Sequence, residues 1–525
     1  MNIRHTAVLV GVVSLAAGCT DWLDVNTNPN GPQSVTANLY LPAMLHWMVT
    51  APQYDGRFVG RYTQEWTLPS LTLPTSTPST WDRMGYDAGS DNGAEQWRDV
   101  YWSLGQNLID MNAKAEAEQR WDLLGVGLIL KAWGWQVLTD LHGEIIIKEA
   151  FDPLRTTFDY DTQEYAYQEV NRLLDSAIVL LQRTDGAVDA TYLGKGDHIY
   201  NGNRTKWLRF AWGMKALVLN HFSNKASYDP QAVMDAVDSS FTSNADDALL
   251  QYPATSTDLQ DYNFYGHTRN NIRSYRQTRF IVGLMDSTQF HVVDPRMSRM
   301  LSPAPDGQYR GVDPNLGGFG ALTATQQPNN FFGYPGTSGA GQPARYIFAD
   351  KSRLPVMTYA ELQFIKAEAA LQSGNAAKAL AAYQAGISAS IDFVNARNLD
   401  AGQTPTQITG TEKTAFLADT NIVPAAGNLT LSHIMSQKFI ALWGWGHNEI
   451  WMDMRRYHYT DLDRGIEVFR GFTIPTNLFP ANETFVAQRI RPRYNSEYVW
   501  NQTGLSGIDA LTSTYHTRPL WITLP

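Results

Sequence analysis

The stretch "AELQFIKAEAALQSGNAAKALAAYQAGISASIDF", residues 360–393, decides the fold class. It fits two helices joined by a turn at Ser373-Gly374-Asn375. Small residues stand where the helices must cross: Ala367, Ala370 and Gly374 before and at the turn, Ala379 and Gly386 after it. Small residues at such offsets let two helices approach closely, while a large ring such as Tyr383 fills the space left between them. The spacing is that of a tetratricopeptide unit, although Gln363 stands at the usual early tryptophan position. A helix pair of this kind cannot bury its apolar face alone, so the reading is a mostly α, TPR-like stack of helix pairs interrupted by long irregular loops.

Outward from this unit, the three-and-four spacing of a buried helix face recurs. Trp97, Tyr101, Leu104, Leu108 and Met111 mark one helix within 94–141. A second, from about Trp121, carries Leu124, Leu128, Ala132, Trp135 and Leu138. Helical pattern also covers roughly 163–182, 204–223, 229–240, 357–373, 375–396 and 430–456. Ser34 is a suitable N-cap for a helix through Met48. Residues 51–92 read as a helical turn passing into Pro/Thr/Ser-rich loop. The stretches 245–272 and 302–355 read as loops rich in Gly, Pro, Asn and aromatics, and the tail beyond 475 as irregular.

Cys19 is the only cysteine among 525 residues. Arg4 gives a basic start, Thr6 to Gly18 run without charge, and Ala16-Ala17-Gly18 abut the cysteine, which is the layout of a cleavable export signal. The apolar run is too short to span a bilayer. With no second cysteine to pair, Cys19 is expected to become a lipidated N-terminus, and two or more acyl chains make a stable anchor. Residues 1–18 are thus read as a lipoprotein signal peptide, 19–33 as a lipidated tether and 34–525 as one domain. In the tether, Asp24, Asn26 and Asn28 alternate as in a calcium loop. Pro29 occupies the glycine position and no glutamate closes the loop, so an EF-hand is excluded.

Hydrophobic residues at 43% and charged residues at 18% describe a chain able to fold around a core. A net charge of −10 argues against nucleic acid and against docking on anionic lipid through a basic patch. The 16 Trp, 25 Tyr and 21 Phe exceed what such a core obviously requires, so some rings are expected to face a ligand.

Six segments, in consistent order, resemble the SusD/RagB family, in particular its starch-binding, outer-membrane-associated branch: "TDWLDVNTNPNGP" (20–32), "NRTKWLRFAWGMKALVLNHF" (203–222), "VVDPRMSRMLSPAPDGQYRGV" (292–312), "PVMTYAELQFIKAEAAL" (355–371), "SQKFIALWGWGHNEIWMDMRRY" (436–457) and "RIRPRYNSEYVWN" (489–501). Trp212, where the family often has asparagine, and the Gly-Trp-Gly around Trp445 depart from the pattern. The resemblance implies a SusD-like superhelix and a monomeric lipoprotein on the outer face of a Gram-negative outer membrane. It further implies capture of oligosaccharide, or in some members peptide, for delivery to a SusC-like TonB-dependent transporter.

The residues offer little catalytic machinery. Glu449 and Asp453 share a helix face as a glycosidase carboxylate pair would, but Arg455 and Arg456 beside them make a structural charge cluster simpler. There is no Gly-x-Ser-x-Gly elbow. His142 with Glu144, and His447 with Glu449, are isolated pairs rather than metal ligand sets, so neither a metal nor a cofactor is expected. Glu361 and Glu368 are expected to pair with neighbouring cations.

Binding requires less, since a flat ring stacks on the C–H face of a pyranose while amides and charged groups meet its hydroxyls. Rings on helix faces, Trp97, Trp102, Trp133, Trp135, Trp207 and Trp443, are expected in the core. The candidate ligand contacts lie in three loop clusters: Trp66, Trp81, Tyr86 and Asp87; Tyr262, Asn263, Tyr265 and Arg269; and Asn330, Phe331, Phe332 and Tyr334. Two or three stacks with a few hydrogen bonds would give micromolar to millimolar affinity, roughly −8 to −4 kcal/mol. Peptide cargo, or an interface with the transporter built from the same rings, remains open at this level.

Overall fold

A computed structural model describes residues 35–69, 79–314, 319–337, 344–400 and 406–525. The signal, Cys19, the tether and the Ser34 cap lie outside the described residues.

Ten helices frame the molecule: α1 (Leu41–Tyr62), α2 (Gly105–Ala117), α3 (Trp121–His142), α4 (Gln163–Gln182), α5 (Arg204–His221), α6 (Pro230–Asp238), α7 (Tyr359–Gln372), α8 (Ala376–Leu399), α9 (Leu431–Leu442) and α10 (His447–Arg456). Most start where a side chain can accept a free backbone N–H. Thr162, Asn203, Asp229, Thr358, Asn375 and Thr430 each cap one, and Thr358 with Glu361 forms a reciprocal capping box. The pairs α3–α4, α5–α6 and α7–α8 pack antiparallel, and α7 also packs on α6, α5 and α9. The expected crossing is present. Ala367 and Ala370 are fully buried, and a Cβ on Gly386 would stand 2.9 Å from the Phe364 ring.

Three boundaries differ from the sequence reading. α1 runs on through Pro52 to Tyr62, because its buried face, including Met44, Leu45, Met48, Val59 and Tyr62, outweighs the lost hydrogen bond. The 430–456 pattern is two helices, broken at Trp443–Gly446, where Gly444 takes φ +89°. The expected loops contain short antiparallel pairs. β1 (Trp66–Thr67) pairs with β3 (Arg276–Gln277), and β2 (Ala248–Gln251) with β4 (Arg353–Met357); β5 (Leu462–Asp463) and β6 (Ile466–Glu467) close a hairpin.

A buried ionic spine ties the helices together. Lys438 on α9 reaches Glu449 and Asp453 on α10, each at 2.7 Å. Arg456 joins Asp453 at 2.6 Å and Glu368 on α7 at 2.7 Å, and His221 on α5 meets Glu449 at 2.8 Å. Burial pushes the Glu449 carboxyl up, but Lys438 and His221 more than offset it and hold it below the usual range; at Asp453 burial wins. Among the described residues no helix is long and apolar enough to cross a membrane.

Candidate functional site

The sequence-selected rings divide sharply in the structure. Trp66, Tyr265 and Phe331 do converge from three separate loops, but inside the protein. Trp66 and Tyr265 are fully buried and Phe331 is 1% exposed. Trp66 lies 5.5 Å from Tyr265 and 5.9 Å from Phe331, and Phe331 stacks on Phe348 at 4.7 Å. The Tyr265 hydroxyl donates to the Gln53 carbonyl at 2.8 Å and sits 3.0 Å from His447. Phe332 is equally buried, and Asn263 and Asn330 are consumed by loop backbone. Asn263 donates to the carbonyls of Ile347 and Ala349, and Asn330 accepts from the amides of Phe332 and Tyr334. A ring without exposed area has no face for a ligand in this conformation. These residues pin loops to the body, because rings of 150–250 Å² gain more from burial than from display. Tyr262, Arg269 and Tyr334 remain partly exposed.

The first cluster leads to a cleft. Trp81 is 2% exposed, packed on Phe58 and Tyr62, and its indole N–H donates to Asp87 at 2.8 Å. Asn92 donates to the same carboxylate oxygen. Tyr86 is half-buried. The Arg491 guanidinium lies 4.6 Å from its ring and 4.9 Å from that of Tyr498, which in turn stacks on Tyr494 at 13°. These groups line a hollow of about 160 Å³ between the 81–94 loop and the 490–498 segment. Asp91 clasps the two walls, accepting from Arg493 at 2.5 Å and from both the amide and the side chain of Asn495.

A larger hollow of about 580 Å³ continues on the other side of that segment, within the size range of small-ligand sites. Trp97, Tyr101, Trp102, Phe151 and Phe158 form its apolar faces, with Arg493, Ser496 and Glu497 along one edge. Trp102 is 69% exposed, which corrects its core assignment; the tail ring Trp500 is 74% exposed. The reason is local. Between Glu95–Arg98 and α2 the helix relaxes into a π turn, Asp99–Leu104, and Trp102 lies off the stripe of Trp97, Leu104, Leu108 and Met111, which stays buried. The facing wall is also a π turn, Tyr494–Tyr498. Such turns recur at functional sites.

Two polar atoms on the cleft edge, Arg493 Nε and Ser496 Oγ, are buried and have no hydrogen-bond partner among the described residues. An unsatisfied buried donor is costly unless something reaches it, and a ligand hydroxyl could. Sequence reading missed Trp102, Tyr494, Ser496 and Trp500. The signal available for the tail residues was the aromatic spacing in "RYNSEYVW", 493–500.

The carboxylate pair does not open onto this cleft. Glu449 and Asp453 are neutralised by Lys438, as above. Glu361 and Glu449 do share a separate hollow of about 80 Å³ with Gln53, Gln136 and Asn448, room for about two waters rather than a sugar. Of the two glutamates expected to find cations, Glu368 has Arg456, whereas Glu361 makes no ion pair among the described residues. Its carboxylate accepts the Thr358 amide, and burial raises it to about 8. His142 is buried with its Nδ1 at the Ile490 carbonyl, and His447 bonds Glu65 at 2.9 Å. No cluster of His, Cys, Asp and Glu suited to a metal occurs among the described residues.

Helix pairs carrying an aromatic cleft between a loop and the tail define a helical-repeat protein built for binding. The chain belongs to the SusD-like family described as starch-binding and associating with the outer membrane, whose model matches residues 41–477. Solved structures agree on the fold. A SusD/RagB family protein from Bacteroides thetaiotaomicron is 22% identical with a TM-score of 0.67, over 93% of this chain and 99% of that one. A SusD homolog from Bacteroides fragilis is 19% identical with a TM-score of 0.71, over 94% and 100%. A chitin-binding SusD homolog from Flavobacterium johnsoniae is 20% identical with a TM-score of 0.65, over 93% and 98%. No curated protein matches the chain.

Proposed function

We propose that this protein is a cell-surface glycan-binding lipoprotein, anchored through Cys19, that captures oligosaccharide and hands it to a SusC-like TonB-dependent transporter without acting on it chemically. The observation that carries the reading is the pair of hollows on either side of the 490–498 segment: half-buried Tyr494 and Tyr498 offer faces in the smaller, and exposed Trp102 in the larger, beside Ser496 and Arg493. Family membership supports a starch-like cargo, and the chitin-binding neighbour shows that the fold accepts other glycans. Tyr86 and Asp87 stay among the ligand contacts in this reading.

Affinity electrophoresis of the full chain carrying Cys19→Ser, against starch, soluble chitin, acidic polysaccharides and peptide competitors, tests the proposal. Retardation by a polysaccharide that Trp102→Ala weakens supports it. Retardation by none, or competition by peptides alone, overturns it.

A further inference from the structure

Away from the cleft, α1 and the 262–272 loop bring together an unusual pair of cations. Arg57 stands over the rings of Tyr54 at 4.2 Å and Phe264 at 5.1 Å, and Arg269 stands over the same Phe264 ring at 4.8 Å. The two guanidinium carbons are therefore under about 10 Å apart, no more than a Debye length at ordinary salt. Like charges at that range repel. Other arginines on or next to α1 are neutralised: Arg61 holds Asp82 at 3.0 Å, and Arg98, within 5.3 Å of the Trp47 and Trp102 rings, holds Asp99 at 3.2 Å.

Arg57 and Arg269 form no ion pair among the described residues. Arg57 Nε donates to the Tyr54 carbonyl at 3.2 Å, and Arg269 reaches only the neutral side chain of Gln260, at 3.3 Å. The nearby acids are otherwise engaged or set back. Asp55 accepts the amides of Glu95 and Gln96, Glu65 bonds His447, and Asp258 caps the Gln260 amide. Of the segments outside the described residues, 70–78, 315–318, 338–343 and 401–405 contain no Asp or Glu; 1–34 holds Asp21 and Asp24. Burial lowers the pKa of Arg269 and Arg57 adds to the lowering, while Tyr252 and the more distant Asp258 oppose it without forming an ion pair.

We infer that Arg57 and Arg269, braced on Phe264, form a site for an acidic substituent, a carboxylate or sulfate, on a glycan held by this protein. The chemistry fits. Guanidinium groups present paired N–H donors to planar or tetrahedral oxyanions, and stacking on rings fixes their planes before the ligand arrives. Partly exposed Tyr54, under Arg57, offers a face to the sugar itself. A net charge of −10 makes non-specific attraction to polyanions weak, so retention of an acidic polymer needs a local feature of this kind. The inference rests on the glycan reading but uses different residues from the cleft.

The test is affinity electrophoresis of the full chain with Cys19→Ser in gels containing polygalacturonate (carboxylate), dextran sulfate (sulfate), or the neutral polymers starch and dextran. The variants are Arg57→Gln, Arg269→Gln and the double substitution, each checked for an unchanged melting temperature. Arg57→Lys serves as the charge-preserving control. The expected result is retardation by at least one acidic polymer, weakened about tenfold by either glutamine and more by both, with neutral-polymer binding unchanged. The acid that retards the protein identifies the substituent. Acidic retardation that survives the double variant overturns the site, as does the absence of retardation by either acidic polymer. Retardation by neutral polymers alone overturns the anion site and leaves the glycan reading standing, whereas retardation by no polymer removes both.

Discussion

Replacing Lys438 with Met keeps most of the side-chain volume and removes the one cation that Glu449 and Asp453 share. The lysine is 1% exposed and both contacts are 2.7 Å, so water cannot take its place. Removing one partner from a buried ionic group costs about 3–5 kcal/mol, because the remaining charge is left uncompensated. An unfolding entropy of about 2 cal/mol/K per residue, scaled to 525 residues, is about 1 kcal/mol/K. The expected fall in melting temperature at pH 8 is therefore about 3–5 °C. The penalty depends on pH. Asp453 already sits above its ordinary pKa through burial, and without Lys438 it rises further, so the folded state binds a proton that the unfolded state releases. Stability contributed that way is present at low pH and lost as pH rises through the folded pKa. Calorimetry at pH 5 and pH 8 should show the variant closer to wild type at pH 5. A deficit under 1 °C at pH 8, or one that does not shrink on acidification, would refute the view that Lys438 neutralises this pair.

Four further outcomes are expected. Trp102→Ala should weaken glycan binding about tenfold in titration calorimetry, since one stack is worth about 1 kcal/mol plus its area, with melting unchanged because the ring is 69% exposed. Glu361→Gln should flatten the pH profile. The wild-type carboxyl, raised to about 8, keeps its proton when folded and loses it when unfolded between its ordinary pKa and 8, so stability declines across that window by at most about 1.4 kcal/mol per pH unit, a slope the variant should lack in melting scans. Gly60→Ala places a Cβ 2.8 Å from the fully buried Trp66 ring and should cost about 1–3 kcal/mol in urea titrations. In a Gram-negative host, Cys19→Ser should move the protein out of the detergent-soluble outer-membrane fraction, and co-purification of the wild type with a TonB-dependent barrel would support the transporter partnership.

The helices were legible because their faces are periodic: the 163–182 pattern coincides with α4, and the 360–393 unit with α7 and α8. The site was less so, for physical reasons that particular residues illustrate. Trp66 and Phe331 sit in polar loops, yet long-range pairing such as Trp66 with Gln277 draws those loops inward, and nothing local records that. Trp102 lies in a helical stretch and faces out, because it stands off that stretch's apolar stripe, whose members Trp97, Leu104, Leu108 and Met111 stay buried. Trp81, Tyr86 and Asp87 do share one hollow, but Trp81 is buried in its wall, and the wall opposite comes from residues some 400 positions later, a pairing that only the folded chain reveals.

That clasp between Asp91 and the Arg493–Asn495 segment also bears on how such a protein can diversify. One wall of the cleft lies inside the family-matched stretch, which ends at residue 477, and the other lies in the tail beyond it. Substitutions in "YNSEYVW", 494–500, alter the faces a ligand meets while leaving the capped helices and the buried ionic spine untouched. One wall of the cleft can therefore vary in a part of the gene separate from the one that encodes the helical scaffold.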